Sequence, residues 1–490
     1  MKKIQVIYIL IAVVLLCGCK KYLEKEPKKQ ASIQTTDQLE ALINNASAFV
    51  QENDYTATSS TDDAEINKND YKNNTGQFTP EVLYHYLFTT DQVVNNIASD
   101  PLWAGEYKKI FTANLVLANV DNATGSDAAK QRLKADAHFI RAYSYWVMAN
   151  HYCLPYTTEN EGSPGLPLKI TTSYTESLQR ATLKETYNFI LTEIAEAQKG
   201  TIDDVDPKLP WRVSKKAIAA FMSRYYLFLG DYDKSIDNAN QALSTTTAQL
   251  KDYKTIQAGI QVKYTNPNVT INFSELNDWT AAKYYFWPEF FYVRFAYTPG
   301  WWFLPSPALV SLYDQSNDLR YKWFMFSQGG RYFSAGTANM YRYMIFQTGS
   351  MLPSGPTVAE VLLNKAEALA RKNDVAGAMQ AVNILRDKRL SSSAPLTATT
   401  QADAIKKVLD ERRRELPFVM RWYDIRRFSV NSYDEDNILV ARDFFQLNGS
   451  TIDVNTPKTY TLPVGSKRYA VPINGVEIDA GKGQIIQNTY

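Results

Sequence analysis

The stretch AEVLLNKAEALARKNDVAGAMQAVNILRDKR, from Ala359 to Arg389, carries the pattern that decides the fold. Its two halves, Ala359 to Arg371 and Val375 to Arg389, hold apolar residues at helical spacing, and the pair Asn373-Asp374 turns the chain between them. The pattern predicts helix, short turn, helix. Small Ala residues at i, i+3 and i+4 let paired helices approach closely, as in tetratricopeptide-type stacks. The same unit stands upstream. Ser214 to Leu229 reads as a helix, Gly230-Asp231-Tyr232 as its turn, and Ile236, Ala239 and Ala242 as the partner. Ala181 to Ala197 reads as another helix, with Thr182 as its N-cap and Ser214 as the cap of the helix after it. Earlier still, Ile110, Asn114, Leu117 and Val120 follow Trp103 at three- and four-residue spacing until Gly125. Asp127 then caps a helix that carries Leu133, Ala137, Ile140, Tyr143, Tyr145 and Val147 to about His151. The expected fold class is mainly α, a tetratricopeptide-like helical repeat scaffold with repeats at about 103–244 and 357–427.

Between the repeats, about 245–356, periodicity fails and aromatic residues crowd together: Trp279, Tyr284, Tyr285, Phe286, Trp287, Phe290, Phe291, Tyr292, Trp301, Trp302 and Phe303. Long irregular insertions in a rigid scaffold commonly carry binding residues. A sugar ring has an apolar C–H face that Trp or Tyr can cover while neighbouring polar groups meet its hydroxyls. Trp279, Tyr284, Trp287, Trp301 and Trp302 are therefore the candidate ligand-binding residues, although most rings in such a region are expected to pack the insertion onto the helices. The C-terminal stretch from Phe428 to Tyr490 reads as irregular, with Thr459 to Leu462 as a short strand.

At the start, Lys2 and Lys3 precede an apolar run from Ile4 to Leu16. This reads as a secretion signal, too short to span a bilayer. Leu16-Cys17-Gly18-Cys19 resembles a bacterial lipobox, which makes residues 1–18 a lipoprotein signal peptide and Cys19 the lipidation site. Two or more acyl chains anchor a protein stably where one does not. Residues 19–35, rich in Lys and interrupted by Pro27, read as a tether, and 36–490 as a single domain. Once Cys17 and Cys19 are accounted for, Cys153 has no cysteine to pair with and reads as a small buried hydrophobe.

Lys and Arg number 53 against 51 Asp and Glu, so no broad field draws the chain to nucleic acid. With three His in all and no His pair flanking a Glu at i, i+4, a zinc-hydrolase motif is missing from the sequence, as are a nucleophile elbow, a P-loop and a dinucleotide fingerprint. No cofactor or metal is expected. Asp62-Asp63 with Glu65 could contribute to a calcium site, but a solvated acidic loop is the simpler reading. The Arg-rich block from Glu411 to Arg427 could grip an anion. Glu411, Glu415 and Asp424 lie within it at helical spacing, so internal ion pairs are the stronger expectation.

That block is also the most specific family signal. Glu411-Arg412-Arg413-Arg414-Glu415-Leu416 followed by Arg421-Trp422-Tyr423-Asp424-Ile425-Arg426-Arg427 resembles SusD/RagB-like proteins. So do Arg141-Ala142-Tyr143-Ser144-Tyr145 with Gly165-Leu166-Pro167-Leu168, the opening Tyr22-Leu23 with Pro27, and the closing Gln487-Asn488-Thr489-Tyr490. The resemblance departs at Phe418, which Val419-Met420 follow where many members carry Glu-Gly, with one residue fewer before Arg421. It implies an outer-membrane lipoprotein, exposed at the cell surface, that binds nutrient and delivers it to a SusC-like TonB-dependent transporter without catalysing a reaction. Glycan and peptide cargo both stay open, as does a repeat scaffold that binds protein partners alone.

Overall fold

Two helix pairs turn by the same backbone device. Helices are numbered in chain order: α1 (Thr36–Ile43), α2 (Pro101–Asn119), α3 (Asp127–Tyr152), α4 (Leu183–Gly200), α5 (Lys215–Phe228), α6 (Tyr232–Leu243), α7 (Val358–Arg371), α8 (Val375–Arg389), α9 (Gln401–Glu415), α10 (Val419–Phe428) and α11 (Gly475–Ala480). In this computed structural model α5 ends with Gly230 at φ +73°, and α7 ends with Asn373 at φ +65°. Gly and Asn are the residues that enter this left-handed region at least cost. The next residue is an Asp in each case, and its carboxylate caps the following helix: Asp231 accepts from the Lys234 amide, Asp374 from the Gly377 amide at 2.9 Å. Thr182 and Ser214 cap α4 and α5 as the sequence predicts. The cap of α3 is Ser126 rather than Asp127, which sits one residue inside the first turn, where its negative charge meets the helix dipole.

The structure describes residues 33–490 apart from 55–57, 74, 96–98, 266–267, 279–280, 298–302, 328–340, 347–350 and 393. The architecture is the mainly α, tetratricopeptide-like scaffold predicted. Helix α3 packs between α2 and α4, α5 packs on α6, and α7 links α6 to α8 and α9. One hydrophobic cluster runs from Val50 to Ile485, and a second, smaller one joins α1, α2 and α3.

The insertion is less irregular than its sequence. Strands are numbered β1 (Gln51–Asn53), β2 (Ala258–Thr265), β3 (Asn268–Ser274), β4 (Phe295–Tyr297), β5 (Met351–Pro353), β6 (Val440–Asn448) and β7 (Thr451–Leu462). β2 and β3 form an antiparallel hairpin. β4 lies between β1, with which it pairs in parallel, and β5, with which it pairs antiparallel, so the insertion is stitched to the N-terminal segment. The C-terminal region likewise holds a hairpin, β6 with β7, far longer than the short strand expected there. Gly449 turns it at φ +59°.

The Arg-rich block belongs to the frame. Arg412 and Arg427 both reach Asp424, at 2.7 and 2.9 Å, and Arg414 reaches Glu411 at 2.7 Å, as the spacing predicts. Others reach outside the block: Arg426 donates to the Cys153 carbonyl at 2.7 Å and Arg427 also pairs with Glu367 at 2.6 Å. Arg413 and Arg421 bind Asp63 and Asp62 at 2.6 and 2.8 Å. Asp62-Asp63 is thus a clamp between the N-terminal loop and α9–α10, neither a solvated acidic loop nor a cation site. Burial opposes ionisation of Asp62, but Arg421 and Arg413 outweigh it and hold its carboxyl down at about 2. Asp63 also accepts the Phe418 amide at 2.9 Å. Phe418, where the sequence departs from the family pattern, takes φ +65° with its ring fully buried, a strained backbone that this hydrogen bond and the ring packing against Phe303 and Tyr343 hold in place.

Candidate functional site

Trp279, Trp301 and Trp302 lie outside the described residues. Of the remaining eight rings singled out in the insertion, Phe286 is exposed and Tyr285 half-buried, while the rest face inward. Tyr284 and Trp287, two of the candidate ligand-binding residues, are 4% and 5% exposed. Tyr284 stacks on Phe346, with ring centroids 5.5 Å apart, and Trp287 meets the same ring edge-on at 5.5 Å. Both pack against other rings of the insertion, Tyr284 also against Phe295 and Trp287 against Tyr253, which takes them out of a ligand's reach. Trp287 does line a small polar pocket with Tyr253, Glu289, Arg320 and Glu415. Its volume, about 40 Å³, admits a few waters and no sugar ring.

A larger concavity lies elsewhere. It has a volume of about 370 Å³, within the range of small-ligand sites, and forms where α2, the loop after Pro167 and α11 meet. Helical spacing puts Trp103, Tyr107 and Phe111 on one side of α2, and all three line it. Opposite stands Tyr174, 91% exposed, whose ring lies over Phe111 with centroids 6.0 Å apart and planes at 27°. Sequence reasoning placed Phe111 in a helix and passed over Tyr174. The available signal was a single ring in the polar run Thr171-Thr172-Ser173-Tyr174-Thr175.

The polar groups of this groove are turned inward. Tyr107 donates to the Pro167 carbonyl at 2.8 Å. Asn114 donates to the carbonyls of Lys169 and Thr171 and accepts from Arg141 at 3.0 Å, which uses its amide completely. Glu176 gathers the amides of Ile170 and Thr171 and also meets the Lys169 ammonium. Glu477 accepts from Ser99 and from the Asp100 amide through one carboxylate oxygen. What faces outward is ring face and aliphatic carbon. Among the described residues no group of three His, Cys, Asp or Glu side chains converges on a metal position, and no helix is long and apolar enough to cross a membrane.

A stack of paired helices with a stitched-in insertion and surface concavities defines a binding scaffold. Residues 21–227 match the family model SusD-like_3, described as starch-binding and associating with the outer membrane, and residues 358–490 match the SusD_RagB model of the SusD family. The chain belongs to the SusD/RagB-like family. Among solved structures, it resembles a SusD superfamily protein from Bacteroides thetaiotaomicron at 19% identity over 93% of this chain and 100% of that one, with a TM-score of 0.65. A SusD-like carbohydrate-binding protein from Bacteroides vulgatus aligns at 19% identity over 92% and 97%, with a TM-score of 0.63. A laminarin-binding SusD-like protein aligns at 15% identity over 93% and 99%, with a TM-score of 0.56. No curated protein matches the chain.

Proposed function

We propose that this chain is an outer-membrane surface lipoprotein, anchored through Cys19, that binds a nutrient glycan and delivers it to a SusC-like TonB-dependent transporter, with no catalytic step of its own. One observation carries the reading. The two family matches lie on either side of the aromatic insertion, at 21–227 and 358–490, and the description of the first is of starch binding in association with the outer membrane. The family description names starch, and one protein of the same fold is named for laminarin, which favours glycan over peptide.

Trp279, Trp301 and Trp302, together with the exposed Phe286, are the rings we propose for the cargo face. Each ring contributes about 0.5–1.5 kcal/mol beyond simple burial, so two or three of them with several hydrogen bonds give micromolar to millimolar affinity. Weak binding of that order suits release into a transporter.

The first test is co-purification from detergent-solubilised outer membranes through a C-terminal tag, followed by calorimetry with glucans and with peptides. A TonB-dependent barrel in near-equal amount, glucan binding, and lost uptake with an intact complex in the Trp301→Ala, Trp302→Ala double variant are the expected results. Peptides displacing glucans would convert the cargo to peptide. A chain that emerges alone, with uptake unchanged in the double variant, would leave a scaffold for protein partners and end the carrier reading.

A further inference from the structure

The groove walled by Trp103, Tyr107, Phe111 and Tyr174 has none of the proposed cargo rings in its lining. A sugar needs donors and acceptors free to meet its hydroxyls, and here Tyr107 and Asn114 are engaged by backbone carbonyls, which leaves the Glu477 carboxylate as the main charged group on the rim. The open surface of the groove is mostly apolar. Ile170, Val476 and Ile486, each next in sequence to a lining residue, are themselves exposed. A concave apolar surface of this kind can seat apolar side chains.

The chain supplies a fitting occupant. The described body begins at Ile33, which packs on the cluster that includes Ala113, Val116 and Val120 of α2. The leader therefore joins the body against the C-terminal half of the helix whose other face walls the groove. Between Cys19 and Ile33 the large apolar side chains are Tyr22 and Leu23, set among Lys20, Lys21 and Lys25. The family match reaches back to residue 21, so this pair lies within the matched unit rather than ahead of it. The reach is ample. Leu23 to Ile33 can extend about 33 Å, whereas Val116 and Phe111 are separated by about 8 Å along the helix axis. The leader's charge is compatible with this, since residues 20–29 carry five Lys against Glu24 and Glu26 and Glu477 stands on the groove's rim.

We propose that Tyr22 and Leu23 seat in this groove, so that the leader is a docked arm and α2 with the Tyr174 loop is its receptor. The arm's tyrosine ring lies with Phe111 and Tyr174, and its lysines lie beside Glu477. Docking sets Cys19 within about 15 Å of the groove and turns this face of the body toward the membrane. That last consequence rests on the anchoring at Cys19 proposed above, whereas the docking does not.

The test is disulfide trapping in the full exported chain. Leu23→Cys is paired either with Tyr174→Cys in the groove or with Asp121→Cys, an exposed control next to Val120 where the leader joins. Cys153 is fully buried and does not compete. Under mild oxidation the 23–174 bond is expected to form at least tenfold faster than the 23–121 bond. In the parent chain the amides of residues 22 and 23 should exchange hydrogen slowly, and Phe111→Ala should release them. Equal trapping rates, or protection that survives Phe111→Ala, overturn the proposal. An intermolecular 174–174 bond in its place gives the groove to a second copy, and groove protection that appears only with an added glucan gives it to cargo; both outcomes also overturn it. The mass of the N-terminal peptide reports acylation independently. An unmodified Cys19 with preferred 23–174 trapping removes the anchor and keeps the docked arm, and the converse pair of results removes the arm and keeps the anchor.

Discussion

Two sets of aromatic side chains in this protein have opposite fates. The insertion gathers its rings densely in sequence, and the described ones are mostly driven inward, where Tyr284, Trp287, Phe290 and Phe295 pack around one another and Phe346. The groove draws Phe111 and Tyr174 from separate elements and leaves them in water. Local density thus marks a segment whose own helices are short, Ala281–Tyr284, Pro307–Val310 and Leu319–Phe324, and which packs itself together with ring area. Rings stay exposed instead where they stand singly on elements whose buried faces are already occupied. Phe111 is held outward because Ala113 and Val116 of the same helix fill the interior.

Ion pairs fasten the insertion as firmly as its rings do, and cutting one is expected to give the largest effect. Arg294, fully buried just before β4, reaches Glu52 of β1 at 2.8 Å and Glu106 of α2 at 2.7 Å, with its guanidinium 4.8 Å from the Tyr143 ring centre. Arg294→Met fills the volume but strands two carboxylates that are 1% exposed, with Lys109 as the remaining cation beside Glu106. A loss of about 3–5 kcal/mol is expected in urea titration. A loss below about 1 kcal/mol would mean that the rings alone hold the insertion, which would sharpen the contrast with the groove.

The helical units were legible because their signals are local. Asn373-Asp374, Gly230-Asp231, Thr182 and Ser214 each act within a few residues of where they are read. Asn448-Gly449 was equally local, an Asn-Gly pair of the kind that turns hairpins, and its neglect hid β6 and β7. The Asp62-Asp63 clamp was not legible at all, since Arg413 and Arg421 lie some 350 residues away and helical spacing offered them nearer acids. The groove was hidden for the same reason. Trp103, Tyr174 and Ile485 become neighbours only after α2, its loop and the C-terminus are assembled.

Acid probes the buried side of the comparison. Burial pushes the His85 imidazole down to about 4, with Asp54 opposing that shift and His151 adding to it. The folded pKa lies below the ordinary 6.5, so between those values the unfolded chain binds the proton more readily, and stability falls as the pH drops from about 6.5 toward 4. His151 works the other way. Burial opposes its protonation, but Asp54, 2.5 Å from its Nε2, raises its pKa, so its contribution is full below about 6.5 and fades as the pH rises through the folded value. His85→Gln separates the two. Between pH 7 and pH 5 the parent should lose about 2 kcal/mol more than the variant, read from denaturation midpoints. Parallel profiles would show that His85, which is half-buried, is hydrated enough to titrate normally.

The smallest effect is expected in the groove, and it is the one that decides whether the comparison holds. Tyr174→Ala removes a ring that is 91% exposed and touches Phe111 across 6.0 Å, with no backbone or side-chain hydrogen bond depending on it among the described contacts. For the described body without its leader, stability should change by no more than about 0.5 kcal/mol, as for surface positions generally. Trp287→Ala, by contrast, opens a cavity against Phe346 and Tyr253 and should cost about 3–5 kcal/mol. The pair should be measured together in one denaturation series. If Tyr174→Ala instead costs more than about 1.5 kcal/mol, its ring already carries fold energy through an occupant held in place, because the described body alone offers Tyr174 too little contact to account for such a loss. A cost of that size would turn an exposed ring into a buried one and would point straight back to the arm beginning at Lys20.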